Sequence, residues 1–254
     1  MDYIFDGTFM GLLTAVFEAY ERKHKGVKVN TSKSFSAGLF SGQLSLETDL
    51  AKATRVWKGL KLRIGAEQQK HFYSAFFADD IATWQLMFDY TVYIFNNPTG
   101  VDQNYGNPLV LGLSQIAKKV SRERHRMKAF IRFEKGGNGL FHAVVAPDFN
   151  VLPLIAKHFK DRYADQPWMI YDERRRYGIH YDLLSVQEVT LEPAAIDAVA
   201  RSTDIVLDEK EELYATLWKD YFKSTNIKER KNMKLHIQHV PKRYWRYLTE
   251  KEID

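Results

Sequence analysis

The sequence contains no cysteine among its 254 residues. This absence excludes disulfide bonds, thiolate-held iron–sulfur clusters, cysteine zinc sites and a cysteine nucleophile. It also fits a reducing compartment, and we expect a cytoplasmic protein. Long apolar runs are missing too, since no stretch reaches the ~18 residues of a membrane span. Because residues 1–6 lack the basic and apolar regions of a signal peptide, we expect neither export nor a membrane partner.

Several motifs of catalysis and cofactor binding are also absent. There is no GxxxxGKS/T, no GxGxxG, no HExxH, no EF-hand loop and no GxSxG nucleophile elbow. His236 and His239 have a spacing that suits a metal, but they lack a convincing third ligand. The flanking Lys234 and Lys242 favour a surface or phosphate-contact role for these histidines instead. We therefore predict no metal and no cofactor.

Charge of both signs is plentiful, and its net value is small. The chain has 37 Lys and Arg against 32 Asp and Glu, a formal net charge of +5. Residues 118–135 contain eight basic and two acidic side chains. Residues 182–212 contain two basic and nine acidic ones, and residues 219–251 contain ten basic and three acidic ones. Such asymmetry suggests an anionic partner. The alternative is that the acidic and basic blocks pair within the fold.

The hydrophobic pattern predicts a helical N-terminal half. A short strand at 3–5 comes before apolar residues at helical spacing, which are Phe9, Leu12, Leu13, Val16, Phe17 and Tyr20. Helical faces recur between 50 and 95, and another helix is predicted from about 107 to 126. A second short strand is predicted at 27–30.

The middle of the chain changes to the patterns of β-strands. Phe130–Glu134 and Leu140–Ala146 flank a glycine-rich turn, and Trp168–Asp172 and Tyr177–Tyr181 flank a charged one. A helix is predicted between these hairpins, over residues 150–163. The pattern indicates a β-β-α-β-β unit that forms an antiparallel layer.

A further strand at 185–191 and helices near 193–202 and 208–223 lead into a basic tail. We predict an α+β fold with a helical N-terminal half, the central antiparallel layer and a helical basic C-terminal tail. The predicted regions are residues 1–120, 121–204 and 205–254. The tail is expected to pack on the same body, and one single domain is the alternative.

Asp172 and the three arginines after it form a charged turn. A carboxylate there could act as an acid or base whose pKa the arginines lower. The alternative, which we favour, is an ion pair that closes the hairpin turn. Arg174, Arg175 and Arg176 suit bidentate phosphate contacts and have few local acids to pair with.

Two histidines are further catalytic candidates. The basic neighbours of His125 would hold a negative ligand and depress the imidazole pKa. His158 lies beside the helix face of Phe159, and a hydrogen-bonded structural role is favoured over a catalytic one. His142 and His180 could also face each other across the sheet.

The tail combines basic side chains with aromatic ones, a pattern typical of proteins that bind unpaired nucleic acid. The alternative is that Tyr244, Trp245 and Leu248 anchor the tail in the core and leave its cations in solvent. The predicted nucleic-acid-binding residues are Arg122, Arg124, Arg126, Lys128, Arg174, Arg175, Arg176, Lys228, Arg230, Lys231, Lys234, Lys242 and Arg243.

Essentially the whole chain resembles a bacterial family that is associated with DNA repair and DNA metabolism and contains a domain of unknown function. The matching segments are Phe5–Phe9, Leu13–Tyr20, Ser121–Phe133, Ala146–Ile155 with His158-Phe159, Trp168–Arg174, Ile227–Asn232 and Pro241–Trp245. The resemblance implies a radical-SAM protein of DNA modification or repair as partner. It also implies that some members are fused to a uracil-DNA-glycosylase-like domain.

Three functions follow as hypotheses. The first is a DNA-binding accessory protein of repair, which binds single-stranded or damaged DNA while its partner performs the chemistry. The second is an enzyme that acts on DNA with Asp172 and a histidine such as His125, His142 or His158. The third is a protein-interaction adaptor that does not bind DNA.

Overall fold

The structure is a computed structural model. It describes residues 1–32, 42–136, 140–190, 237 and 240–248. The chain divides into two compact units, residues 1–122 and 123–254, and each is described by itself.

The first unit contains a three-stranded parallel sheet. Its strands are β1 (Asp2–Phe5), β2 (Lys28–Thr31) and β3 (Gln43–Ser45), in the order β2-β1-β3. The helix α1 (Phe9–Glu21) connects β1 to β2, as the apolar spacing predicts. The sequence pattern missed β3, because three residues are too few to show a period of two.

Four more helices begin in this unit. They are α2 (Leu50–Lys61), α3 (Ala66–Phe76), α4 (Ile81–Asn96) and α5 (Pro108–Phe130). Their side chains include many large rings, and Phe9 meets four rings of α2 and α3 edge-on at centroid distances between 5.4 and 6.0 Å. The predicted helical N-terminal half is confirmed, because the 3.6-residue period marks the buried face of each helix.

The second unit is built on a five-stranded sheet with its strands in sequence order. The strands are β4 (Glu134–Lys135), β5 (Phe141–Val145), β6 (Trp168–Asp172), β7 (Tyr177–Tyr181) and β8 (Val186–Val189). The helix α6 (Leu152–Arg162) lies between β5 and β6 in the chain. The predicted α+β class and the β-β-α-β-β order are therefore confirmed.

The sheet is mixed, which corrects the wholly antiparallel layer predicted from the sequence. β5 and β6 pair in parallel, whereas every other neighbouring pair in this sheet is antiparallel. β5 and β6 are parallel because α6 returns the chain to the end of the sheet where β5 starts, so β6 runs in the same direction as β5. The register aligns His142 with Met169 and Met169 with His180, so Met169 separates the two histidines.

The boundary between α5 and β4 also differs from the prediction. The strand expected at 130–134 starts only at Glu134, since α5 continues to Phe130. Val120, Met127 and Ile131 are buried at helical spacing, and the Ile131 N–H donates to the Met127 carbonyl at 3.2 Å. The apolar face of the helix thus overrides the β-propensity of these residues.

The described part of the tail is a 3₁₀ turn over Lys242–Tyr247. Tyr244 and Leu248 are buried, whereas Lys242, Arg243 and Arg246 are exposed. In this segment the buried Tyr244 and Leu248 anchor the chain, while the exposed Arg243 and Arg246 pair with carboxylates. The helices predicted at 193–202 and 208–223 lie outside the described residues. Among the helices that the structure describes, none is long and apolar enough to cross a membrane.

Candidate functional site

The second unit contains a cavity of about 800 Å³, which we call the aromatic cavity. It is formed by the end of α5 and the residues after it, by α6, and by the first residues of β5 and β6. Its lining residues are His125, Lys128, Ala129, Ile131, Arg132, Phe133, Phe141, His158, Phe159, Arg162, Tyr163, Gln166 and Trp168. A cavity of this volume is in the range that holds small organic ligands or single groups of a larger one.

Aromatic rings form the apolar part of the lining. Phe133 meets Tyr163 nearly at a right angle, with centroids 5.3 Å apart and an interplanar angle of 74°. Tyr163 lies almost parallel to Phe159, at 6.1 Å and 8°. Trp168 is fully buried behind Phe133 and Phe159, 6.1 Å from each ring centroid. Its indole N–H has no hydrogen-bond partner among the described residues.

Basic side chains also line the cavity. His125 and Lys128 lie three residues apart on one face at the end of α5, and Arg132 follows two residues after the helix ends. Arg162 is the last residue of α6. Both helix ends carry partial negative charge, which favours cations in these last turns.

The contacts of Lys128 and Arg162 leave these two cations able to meet a ligand. Within the described ranges, no carboxylate lies within 4.0 Å of the Lys128 ammonium or the Arg162 guanidinium. The Nε of Arg162 donates to the Tyr163 hydroxyl at 3.3 Å, and its guanidinium is 5.6 Å from the Tyr163 ring centroid. Arg132 donates to the Ala129 carbonyl at 2.7 Å, so it is held close to α5.

This lining lowers the pKa of His158. Burial lowers the pKa of its imidazole, and the nearby charges of Lys128 and Arg162 lower it further. The ring meets Phe159 edge-on at a centroid distance of 5.2 Å. His158 is therefore neutral near pH 7 and available as a hydrogen-bond partner or proton acceptor.

The structure brings together two of the three predicted catalytic candidates. His125 and His158 both line the aromatic cavity, but Asp172 does not. Asp172 is wholly buried and accepts the N–H groups of Arg174 and Arg175 at 2.9 and 3.1 Å. Its carboxylate also pairs with the Arg175 guanidinium at 3.0 Å. Asp172 thus closes the hairpin turn, which is the role we favoured from the sequence.

The pKa of Asp172 differs in direction from the prediction. Arg175 does lower it, but burial has the larger effect and raises the pKa above its ordinary value. The guanidinium of Arg175 also donates to the carbonyls of Pro147 and Asp148, at 3.0 and 3.1 Å. Arg175 therefore ties the hairpin turn to the loop after β5.

Three of the other predicted cations, Arg126, Arg174 and Arg243, lie close to acidic side chains. Glu123 is 1% exposed and lies 3.7 Å from Arg126 and 3.5 Å from Arg243. Asp148 lies 3.4 Å from Arg174 and 2.6 Å from Arg243. These arginines therefore pair within the fold. Glu123 is three residues from Arg126, whereas the acids near Arg174 and Arg243 are distant in the sequence.

Arg174, Lys242 and Arg243 also line a second recess of about 580 Å³, which includes Asp148 and Glu173. The two acids offset much of its positive charge. The remaining predicted cations of the described chain are Arg122, Arg124 and Arg176, and Arg122 and Arg176 are exposed. The predicted residues Lys228, Arg230, Lys231 and Lys234 lie outside the described residues.

Sequence reasoning did not select the rings of the cavity or two of its cations. Phe133, Tyr163 and Trp168 were assigned only to strands and helices, because apolar residues most often fill a core. Arg132 and Arg162 were absent from the predicted sites. A usable signal was present, since Arg132 closely follows His125 and Lys128 in the sequence, and Arg162 ends an amphipathic helix.

The described residues contain no group of three or more His, Cys, Asp or Glu side chains that could hold a metal ion. In comparisons with known proteins, the model of one family, a domain of unknown function designated DUF4130, matches residues 82–250. No curated protein matches the chain. No solved structure matches it either.

Proposed function

The chain belongs to the DUF4130 family, and we propose that it is a cytoplasmic DNA-binding protein of DNA repair or DNA metabolism. In this proposal it binds single-stranded or damaged DNA. It presents that DNA to a partner that performs the chemistry. The proposal joins the resemblance of the sequence to the composition of the aromatic cavity.

One observation supports the proposal most strongly: Lys128 and Arg162, which have no carboxylate within 4.0 Å among the described residues, line the same cavity as the aromatic rings. Lys128 and Arg162 can neutralise phosphates, because no described carboxylate competes for them. Phe133 and Tyr163 offer ring surface on which an unpaired base can stack. A base in a duplex is already stacked and paired, so this combination favours unpaired or distorted DNA.

The test is the dependence of binding on salt concentration. If Lys128 and Arg162 each contact one phosphate, the logarithm of the affinity for single-stranded DNA should fall with the logarithm of salt concentration with a slope of roughly −1.4. Replacing Lys128 with Gln should weaken binding and reduce that slope. The matched control is Lys58→Gln, an exposed lysine of α2 in the first unit.

Lys58→Gln is an informative control because it removes the same single positive charge as Lys128→Gln. If Lys58→Gln lowers the affinity as much as Lys128→Gln does, the aromatic cavity is not the binding site. Failure to bind single-stranded, gapped or mismatched DNA at low salt would rule out the DNA-binding function itself.

The partner in this proposal is a radical-SAM protein of DNA repair, as the resemblance implies. The support is chemical: the chain has no cysteine, so it cannot hold an iron–sulfur cluster by thiolates. Co-purification of the two proteins after nuclease treatment tests direct contact. Recovery of the complex only in the presence of DNA would indicate that the strand, and not a protein interface, joins them.

A second candidate function is an enzyme that acts on DNA. The specific observation in its favour is that His158, with a lowered pKa, lines the aromatic cavity together with His125. A neutral imidazole beside cations could accept a proton from water or from a sugar. Incubation with uracil-containing and abasic strands tests this candidate, and product formation that persists in His158→Gln would exclude His158 as the base.

A further inference from the structure

We propose that the aromatic cavity takes one unstacked nucleobase of a single DNA strand, while Lys128 and Arg162 bind the phosphates next to it. This inference rests on the proposed function and deepens it, since it assigns the base and the backbone to different residues of one site.

The shape of the aromatic lining supports a planar ligand. Phe133 and Tyr163 form a corner, with one ring at 74° to the other. A base that stacks on Tyr163 meets Phe133 at a steep angle, which is a favourable arrangement for two aromatic systems. Phe159 and Trp168 support the corner from the protein interior, and both are at least 98% buried. The two partly exposed rings are thus held in place by two fully packed ones.

The size of the cavity also suits this assignment. A volume of about 800 Å³ is in the range of sites that bury a small organic molecule. One nucleobase with its sugar fits such a volume, whereas a stacked base pair within a duplex requires an open groove. A base must therefore leave its stack to enter, as it does in proteins that recognise single bases.

The positions of the charges fit the phosphates on either side of such a base. Lys128 lies on α5 and Arg162 at the end of α6, and both charges lower the pKa of His158, which lines the same cavity. The Arg162 guanidinium also lies over the Tyr163 ring at 5.6 Å. A strand that places its base on Tyr163 thus brings its phosphate near a cation that is already oriented by the same ring.

The experiment compares two single strands that carry the same charge. One is an octamer of thymidylate, and the other is an abasic octamer with the same number of phosphates. Both are labelled with fluorescein and titrated with the full chain by anisotropy. Stacking of one base contributes about 1–3 kcal/mol, so the wild type should prefer the thymidylate strand by about fivefold to 150-fold.

Variants at Tyr163 connect this preference to the cavity. Tyr163→Leu removes the ring and keeps an apolar side chain, so the preference for the thymidylate strand should disappear. Tyr163→Phe keeps the ring and is the matched control, so its preference should equal that of the wild type. Circular dichroism verifies that both variants fold, and the wild-type comparison alone tests the base without any variant.

The contrary outcomes separate the inference from the proposed function. Equal binding of the two octamers by the wild type would overturn the inference, while a steep salt dependence for both would leave the proposed function standing. Binding of neither strand would overturn both. A preference that survives in Tyr163→Leu would place the base elsewhere. Tighter binding of free thymidine monophosphate than of the octamer would overturn the assignment to a strand.

Discussion

The hydroxyl of Tyr244 should hold the turn over Lys242–Tyr247 to the rest of the second unit, and Tyr244→Phe tests this. The ring is 1% exposed, and its hydroxyl donates to the Glu123 carboxylate and accepts from Arg243 Nη2 at 2.7 Å. Burial and the charge of Glu123 raise the pKa of Tyr244, so the hydroxyl keeps its proton across the physiological range. The substitution removes only this oxygen, because the ring can still pack on Phe130 at 5.5 Å.

The expected loss of stability follows from the hydrogen bond that the Glu123 carboxylate loses. A hydrogen bond to a charged group contributes about 1.5–3 kcal/mol, and Glu123 is buried in this position. The Asp148 N–H still donates to Glu123 at 2.9 Å, so the carboxylate does not lose all of its donors. We therefore expect Tyr244→Phe to lower the free energy of unfolding of the second unit by about 2 kcal/mol.

The assay is urea unfolding, monitored by circular dichroism and tryptophan fluorescence. Tyr247→Phe is the matched control, since it is the same substitution in the same turn. The Tyr247 hydroxyl donates to the partly exposed Glu173 at 2.9 Å, and its loss should cost less than about 1 kcal/mol. Equal effects of the two substitutions, or no measurable effect of Tyr244→Phe, would show that the hydrogen bond between Tyr244 and Glu123 does not hold the turn.

Three other predictions concern the two units. Salt bridges to Lys52 and Arg22 lower the pKa of Glu18 in the folded protein. The charged group therefore stabilises the first unit above its unfolded pKa of about 4.3, and this stabilisation is lost as the pH falls through the lower folded pKa. Glu18→Gln should make the free energy of unfolding less dependent on pH in that window. An NMR titration of His158 should give a pKa below 6.5 that rises in Lys128→Gln, and an unchanged or lower value would contradict the electrostatic account. Gly178→Ala should destabilise the second unit by about 1–3 kcal/mol, because its Cβ would lie 2.9 Å from the Ile170 carbonyl oxygen; a variant as stable as the wild type would refute this.

Local patterns in the sequence predicted most of the elements. The helix over 9–20, for example, was observed at 9–21, because its apolar positions recur at the helical period and are buried. The hairpin around Glu173 was also predicted, since β-prone runs flank a short charged turn. Errors arose where two local preferences competed, as at Phe130, where a buried helix face prevailed over β-propensity.

The candidate site was harder to predict, because it depends on contacts between distant segments. Phe133, Tyr163 and Trp168 meet only after α6 has folded back and β6 has paired with β5. No local period distinguishes a ring that lines a cavity from a ring that fills a core. The pairing of Asp148 with Arg174 and Arg243 is likewise a tertiary contact, so the linear sequence does not reveal it.

Photocrosslinking tests the central claim most directly, since it shows which residues a base touches. A single strand with one 5-iodouracil would be irradiated with the full chain, and the crosslinked peptide identified by mass spectrometry. The account predicts attachment at Phe133, Phe141 or Tyr163, and loss of the Tyr163 product in Tyr163→Leu. Attachment only to the first unit, or only to the second recess around Arg174, would contradict it.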